Sequence, residues 1–99
     1  MERFDVNVET RSEIGKGAIR KIKSEGLVPG VVYQDGDSMP IALNEFELRK
    51  LINRHGEDIL LRFSLEGSVI NAKIQELQRD PVSLEIKHID LMPVDGMIH

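Results

Sequence analysis

The sequence predicts a mainly β domain in which six strands, mostly antiparallel, curl into a closed or partly open barrel capped by two short helices. Three observations lead there. Apolar residues alternate at period two in several short runs, Gly, Pro, Asn and Asp separate those runs, and the alternation slips by one residue at two places late in the chain. Slips of that kind bend strands, and two in neighbouring arms imply strong curvature. At 99 residues the chain makes one domain, and with 3 Phe, 1 Tyr and no Trp its core must come mainly from Val, Ile and Leu.

Phe4, Val6 and Val8 alternate with Asp5, Asn7 and Glu9, the pattern of a strand with one buried face. From Gly17, the run Ala18 to Lys23 suits a short helix that stops at Gly26. Val28 to Tyr33 is β-branched and apolar, a strand whose Pro29 predicts an edge position for its beginning. Asp35, Gly36 and Asp37 form a turn, and Ile41 and Leu43 a short strand. Asn44 then caps a helix with Glu47 at its third position, Leu48, Leu51 and Ile52 forming the buried stripe and Gly56 the stop. Ile59, Leu61, Phe63 and Leu65 share one strand face, and Glu66-Gly67 turns into a second arm, Val69 to Gln78. That arm loses phase between Ile74 and Leu77, which predicts a bulge near Glu76. In the last strand Leu84 and Ile86 share one face while Ile89 and Leu91 take the other parity, a second slip near Lys87 and His88.

Charge is unevenly spread. Arg11, Lys16, Arg20, Lys21 and Lys23 stand against Glu13 in the segment Arg11 to Lys23, a local charge of +4 in a chain of −4. A glycine-punctuated cationic stretch in an acidic protein confines polyanion attraction to one place, which points to nucleic acid. Cysteine is absent, so no disulfide, thiolate metal site or cysteine nucleophile exists, and a reducing, cytoplasmic setting is expected. The start lacks the basic flank and apolar run of a signal peptide, and no apolar stretch is long enough to span a bilayer. A soluble protein without membrane attachment is expected.

Gly15-Lys16-Gly17 lets backbone approach an anion, but the spacings of a nucleotide-binding loop or a dinucleotide fingerprint are missing, so the alternatives are a solvated loop or phosphate recognition. The neighbouring Arg11, Arg20, Lys21 and Lys23 favour recognition. Gln75, Gln78 and Arg79 lie where a bulge would turn them together outward, as base-reading groups or as ordinary surface polar residues. His88 and Asp90, two apart on a strand, point to one side as a hydrogen-bonded pair or as RNA contacts. A catalytic zinc would need a third ligand that His55 and His99 are not placed to give. Ser64, Ser68 and Ser83 lack a nucleophile elbow, so no catalytic residue is assigned. No cofactor, metal or small-molecule substrate is expected.

Four blocks, Arg11-Ser-Glu-Ile-Gly-Lys-Gly-Ala-Ile-Arg-Lys-Ile-Lys23, Val28-Pro-Gly-Val-Val-Tyr33, Ile74-Gln-Glu-Leu-Gln-Arg-Asp-Pro81 and His88-Ile-Asp-Leu91, resemble in order and spacing the bacterial large-subunit ribosomal protein twenty-five family, which includes the general stress protein Ctc. The resemblance spans nearly the whole chain. It implies a small six-stranded barrel over residues 1–99 that binds 5S ribosomal RNA around its loop E, within the central protuberance of the large ribosomal subunit. It also implies RNA contacts at Arg11, Lys16, Arg20, Lys21, Tyr33, Gln75, Gln78, Arg79, His88 and Asp90. Long members of that family carry a second, all-β domain after the point where this sequence stops. Two other functions differ in their signatures. A stress-related protein-interaction module would bind RNA no better than a charge-matched control, and an enzyme acting on a phosphorylated ligand through Lys16 and His88 would need a pocket between them.

Overall fold

A computed structural model of the chain describes residues 2–10, 16–34 and 36–94. The elements run β1 (Glu2–Asp5), β2 (Val8–Thr10), α1 (Lys16–Ser24), β3 (Leu27–Gln34), β4 (Asp37–Asn44), α2 (Glu45–His55), β5 (Ile59–Leu65), β6 (Ser68–Arg79) and β7 (Ile86–Pro93). The strands form one curled sheet in the order β1-β5-β6-β7-β3-β4-β2, with β1 parallel to β5, β3 parallel to β7 and the other pairs antiparallel. The described sheet has seven strands where six were expected, and it is an open half-barrel that does not close.

Both differences come from one segment. Phe4, Val6 and Val8 are half-buried in alternation as the pattern requires, but the run changes partner midway. Glu2–Asp5 follows β5, Val6 N–H donates to the Arg62 carbonyl at 2.9 Å, and Val8–Thr10 then pairs with β4 at the opposite sheet margin. Side-chain periodicity reports which face is buried and is blind to which strand supplies the hydrogen bonds. Covalent continuity through Val6 and Asn7 therefore spans the gap that a closed ladder would have filled.

Pro29 is a second correction, because β3 lies inside the sheet between β7 and β4. The Gly26 carbonyl accepts from Glu45 N–H at 3.0 Å, so with the observed register Pro29 opposite Ala42 and Pro40 opposite Val31 fall on pairs whose amides point away from the partner strand. On its other side the β3–β7 ladder begins only at Gly30, so the missing Pro29 donor leaves no ladder bond unmade. Leu84 also departs from expectation. It lies before β7, exposed and at φ 64°, in the turn that follows β6.

The remaining punctuation reads as expected. Asn44 Oδ1 accepts from Glu47 N–H at 2.9 Å at the start of α2, and Gly56, at φ 82°, donates its N–H to the Ile52 carbonyl at 2.8 Å. Glu66 at φ 49° and Gly67 at φ 82° make the two-residue turn joining β5 to β6. Asp35 of the expected Asp35–Asp37 turn lies outside the described residues.

The core fills the concave side of the sheet. Val28, Val32, Ile41, Leu43, Ile59, Leu61, Phe63, Ala72, Ile86, Ile89 and Leu91 form it with Leu48 and Ile52 of α2. Ile22 of α1, Ala42 and Leu60 are buried outside that cluster, and α1 packs against β3. Among the described residues no helix is long and apolar enough to cross a membrane.

Candidate nucleic-acid interface

Parity and register decide what reaches the surface opposite the core. Ile89 and Leu91 point into the core, so His88, Asp90 and Met92 of β7 point outward. On β3 the inward pair is Val28 and Val32, which places Val31 and Tyr33 outward, with Val31 opposite Asp90. On β6 two register shifts matter. Gln75 is an extra residue between Ile74, opposite Leu91, and Glu76, opposite Asp90; Gln78 then lies opposite His88. Beyond that pair Arg79 lies opposite Ile86, so Lys87 is the extra residue on β7. Without the first shift, Glu76 and Gln78 would point into the core.

Tyr33, Gln75, Glu76, Asp90 and Met92 line a shallow concavity of about 420 Å³ on this outer surface. At its centre Asp90 holds two neighbours. Tyr33 OH donates to Asp90 Oδ2 at 3.5 Å, and His88 Nδ1 lies 3.1 Å from Asp90 Oδ1. Oδ1 is buried and makes no hydrogen bond among the described residues, the approach of His88 being a close pairing without hydrogen-bond geometry.

Helix α1, which packs against β3, carries further cations. Arg20 and Lys21 are exposed on it, while Lys23 is half-buried and pairs with Glu85 at 3.1 Å. That ion pair, which the sequence did not signal, ties α1 to the turn between β6 and β7 and removes Lys23 from the free positive charge. Arg11 lies outside the described residues, as does the side chain of Lys16, whose backbone opens α1.

Arg79 is not brought together with Gln75 and Gln78. Its Nε donates to the Leu84 carbonyl at 3.1 Å and its guanidinium reaches Asn53 Oδ1 of α2 at 3.5 Å, so it braces the turn toward the other helix. The same turn is pinned by Asp80, whose Oδ1 accepts from Val82 N–H at 2.8 Å and Ser83 N–H at 3.0 Å. These backbone donors, Ser83 first, and the nearby Lys87 hold the Asp80 carboxyl below its ordinary range. The sequence reading also missed Glu76 and Met92. Counting parity onward from the slip in β6 and back from Leu91 would have placed both.

Among the described residues no group of three or more His, Asp or Glu side chains is arranged to hold a metal ion. The outer face offers carboxylate acceptors at Glu76 and Asp90, the His88 ring, and amides at Gln75 and Gln78, and α1 packed against β3 carries the exposed Arg20 and Lys21. Such a surface can read polar edges and hold an anionic backbone beside them.

Comparison with known proteins agrees over most of the length. The profile of the Ribosomal L25p family matches residues 6–91. The large ribosomal subunit protein bL25 of Thermodesulfovibrio yellowstonii is 37% identical over 97 residues, 97% of this chain and 45% of that protein. Those of Pelobacter propionicus and Clostridium perfringens are 38% identical over 99 residues and 36% identical over 97, covering 96% and 97% of this chain but 50% and 47% of the relatives. The chain spans about half the length of the curated relatives it matches. It belongs to the Ribosomal L25p family.

Proposed function

We propose that, as a member of this family, the chain is a non-catalytic, structural RNA-binding component of the large ribosomal subunit in the cytoplasm, docking on 5S rRNA at the loop E region of the central protuberance. The observation that carries this reading is the gathering of Tyr33, Gln75, Gln78, His88 and Asp90 on one outer face of β3, β6 and β7, with α1, which bears the exposed Arg20 and Lys21, packed against β3. Regular A-form RNA hides its major groove, and side chains reach base edges where a helix is distorted, as in an internal loop. Arg20 and Lys21, together with Arg11 and Lys16, hold phosphates and set the register. Gln75 and Gln78 read groove edges through paired amide hydrogen bonds. Asp90 and the His88 ring beside it meet a ribose hydroxyl or a base amine. Arg79, expected among the contacts, acts mainly by bracing the turn that carries Glu85 and leads into β7. Residues 1–99 act as one domain in this role, with no cofactor, metal or small-molecule substrate.

Titrating the protein into a labelled loop E fragment and into a regular duplex of equal length, at several salt concentrations, tests the reading. Preference for loop E, with affinity falling on a slope of about −0.7 to −0.9 per phosphate contact, is expected. Equal binding to both RNAs, or RNA affinity no higher than that of a charge-matched control protein, would leave the acidic surface and a protein partner as the better account.

A further inference from the structure

The turn between β6 and β7 is tied down from several directions. Asp80 N–H donates to the Glu85 carbonyl and Leu84 N–H to the Asp80 carbonyl, each at 2.8 Å, which closes the turn across its base. The Asp80 carboxylate takes the Val82 and Ser83 amides, the Ser83 hydroxyl accepts from Glu85 N–H at 3.3 Å, and Arg79 links the Leu84 carbonyl to Asn53 of α2. Inside this frame Leu84 stands at φ 64°, a left-handed conformation that a bulky side chain keeps only where its surroundings enforce it. A turn held in this way presents its side chains at set positions, and through Glu85 it reaches α1.

Lys23 Nζ lies 3.1 Å from Glu85 Oε1, with the lysine side chain 30% and the glutamate side chain 51% exposed. Arg20 and Lys21, earlier on the same helix, are exposed. At its C-terminal end α1 is fixed by the Gly26 carbonyl, which accepts from Glu45 N–H at 3.0 Å, and Ile22 is buried against the sheet side. A helix held near one end still swivels about that end unless a second contact stops it. Arg20 lies three residues, about 4.5 Å of helical rise, ahead of Lys23, so a tether at Lys23 limits the swing where Arg20 and Lys21 project.

We infer that Glu85 is a positioning residue for RNA binding: through Lys23 it fixes the angle at which α1 presents Arg20 and Lys21, so that an acid raises affinity for a polyanion. The inference rests on the RNA-binding role proposed above and adds to it a residue that acts without touching RNA. Charge alone predicts the reverse sign. Replacing a carboxylate by an amide beside a cationic helix removes a repulsion of phosphate and should raise affinity. Loss of the tether lowers it.

The experiment titrates the full chain and its variants with the loop E fragment at one salt concentration, with thermal unfolding of each variant to check that the fold survives. Glu85→Gln is expected to weaken binding by about two- to fivefold, the range that an ion pair of this exposure supports. The charge swap, Lys23→Glu with Glu85→Lys, is expected to return binding to within about twofold of the wild type. In a chain already carrying Arg20→Ala and Lys21→Ala, Glu85→Gln is expected to leave binding unchanged or strengthen it, because the side chains it positions are gone; a general loss of structure would weaken binding in both backgrounds. Equal or tighter binding by Glu85→Gln in the otherwise wild-type chain would overturn the inference and make Glu85 a competitor that keeps Lys23 from the phosphates. Equal weakening in both backgrounds, or a swap that restores nothing, would also overturn it. Absence of loop E preference in the wild-type chain would reject the proposed function, and this inference with it.

Discussion

The two faces of the β6–β7–β3 strip are made from the same backbone and are held by opposite means. Inward, Val28, Val32, Ala72, Ile89 and Leu91 are fully buried and meet Leu48 and Ile52 of α2, a helix capped at both ends. Outward, Tyr33 and His88 each meet Asp90 and Gln78 lies opposite His88, while α1, packed against β3, has Ile22 as its one buried residue among those whose side chains are described. The inner face is therefore where stability resides, and the outer face is free to be shaped for a partner. The bulge at Gln75 is where the two demands meet, since it keeps Ile74 and Leu77 turned toward the core while re-aiming Glu76 and Gln78 outward.

The contrast breaks most completely at Gly30. A Cβ there would collide with the backbone carbonyl oxygen and the Cγ2 atom of Ile89, so β3 and β7 could not approach. Because backbone stands in the way, Gly30→Ala should exceed the roughly 1–3 kcal/mol usual for overpacking and abolish both faces together, seen as loss of the cooperative unfolding transition. Leu48→Ala attacks the inner face alone. It should lower unfolding free energy by about 2–5 kcal/mol in urea titrations, while the protein that remains folded binds RNA normally.

The outer face answers in the opposite sense. Arg20→Ala with Lys21→Ala should change stability by no more than about 0.5 kcal/mol, yet weaken RNA binding and flatten its salt slope by about 1.4 to 1.8. Gln78→Ala should keep the salt slope and lose about 1–3 kcal/mol of discrimination between loop sequences. If the Arg20, Lys21 and Gln78 changes altered both properties alike, positioning and reading would not be separate tasks.

The smallest expected effect concerns Asp80. Its carboxyl is held below the ordinary value of 3.8 by the Ser83 and Val82 amides, so the stabilisation is present above that value and is lost as pH falls through the lower, folded value. Between pH 4 and the acid limit of folding, Asp80→Asn should show a shallower fall in urea midpoint than the wild type, by a margin measurable as a difference of the two curves. Equal curves would mean that the turn owes nothing to the ionised carboxylate.

Legibility followed the same division between faces. Inner positions were readable because burial imposes parity, and the two slips near Glu76 and near Lys87 and His88 were visible as breaks in that parity; the structure puts the extra residues at Gln75 and Lys87. Capping by Asn44 and Gly56 was readable because each uses local chemistry. Strand partnership was not, since the run Phe4 to Val8 keeps one buried face while hydrogen-bonding to two different strands. Long-range polar commitments were equally hidden. Lys23 looked like free charge until Glu85, far along the chain, neutralised it, and Arg79 looked like a partner of Gln78 until Leu84 and Asn53 claimed it. His88 and Asp90 were legible as neighbours on one strand face and Tyr33 by resemblance alone, and the parallel register of β3 with β7 brings Tyr33 to Asp90.

The most direct test of the two-face account is amide and side-chain NMR of the protein on addition of the loop E fragment. The account predicts shifts concentrated in α1, Tyr33, Gln75, Gln78, His88 and Asp90, with Leu48, Ile52 and the inner face of β5 unmoved. Shifts centred on α2 and the core side of the sheet, with the outer face silent, would contradict it.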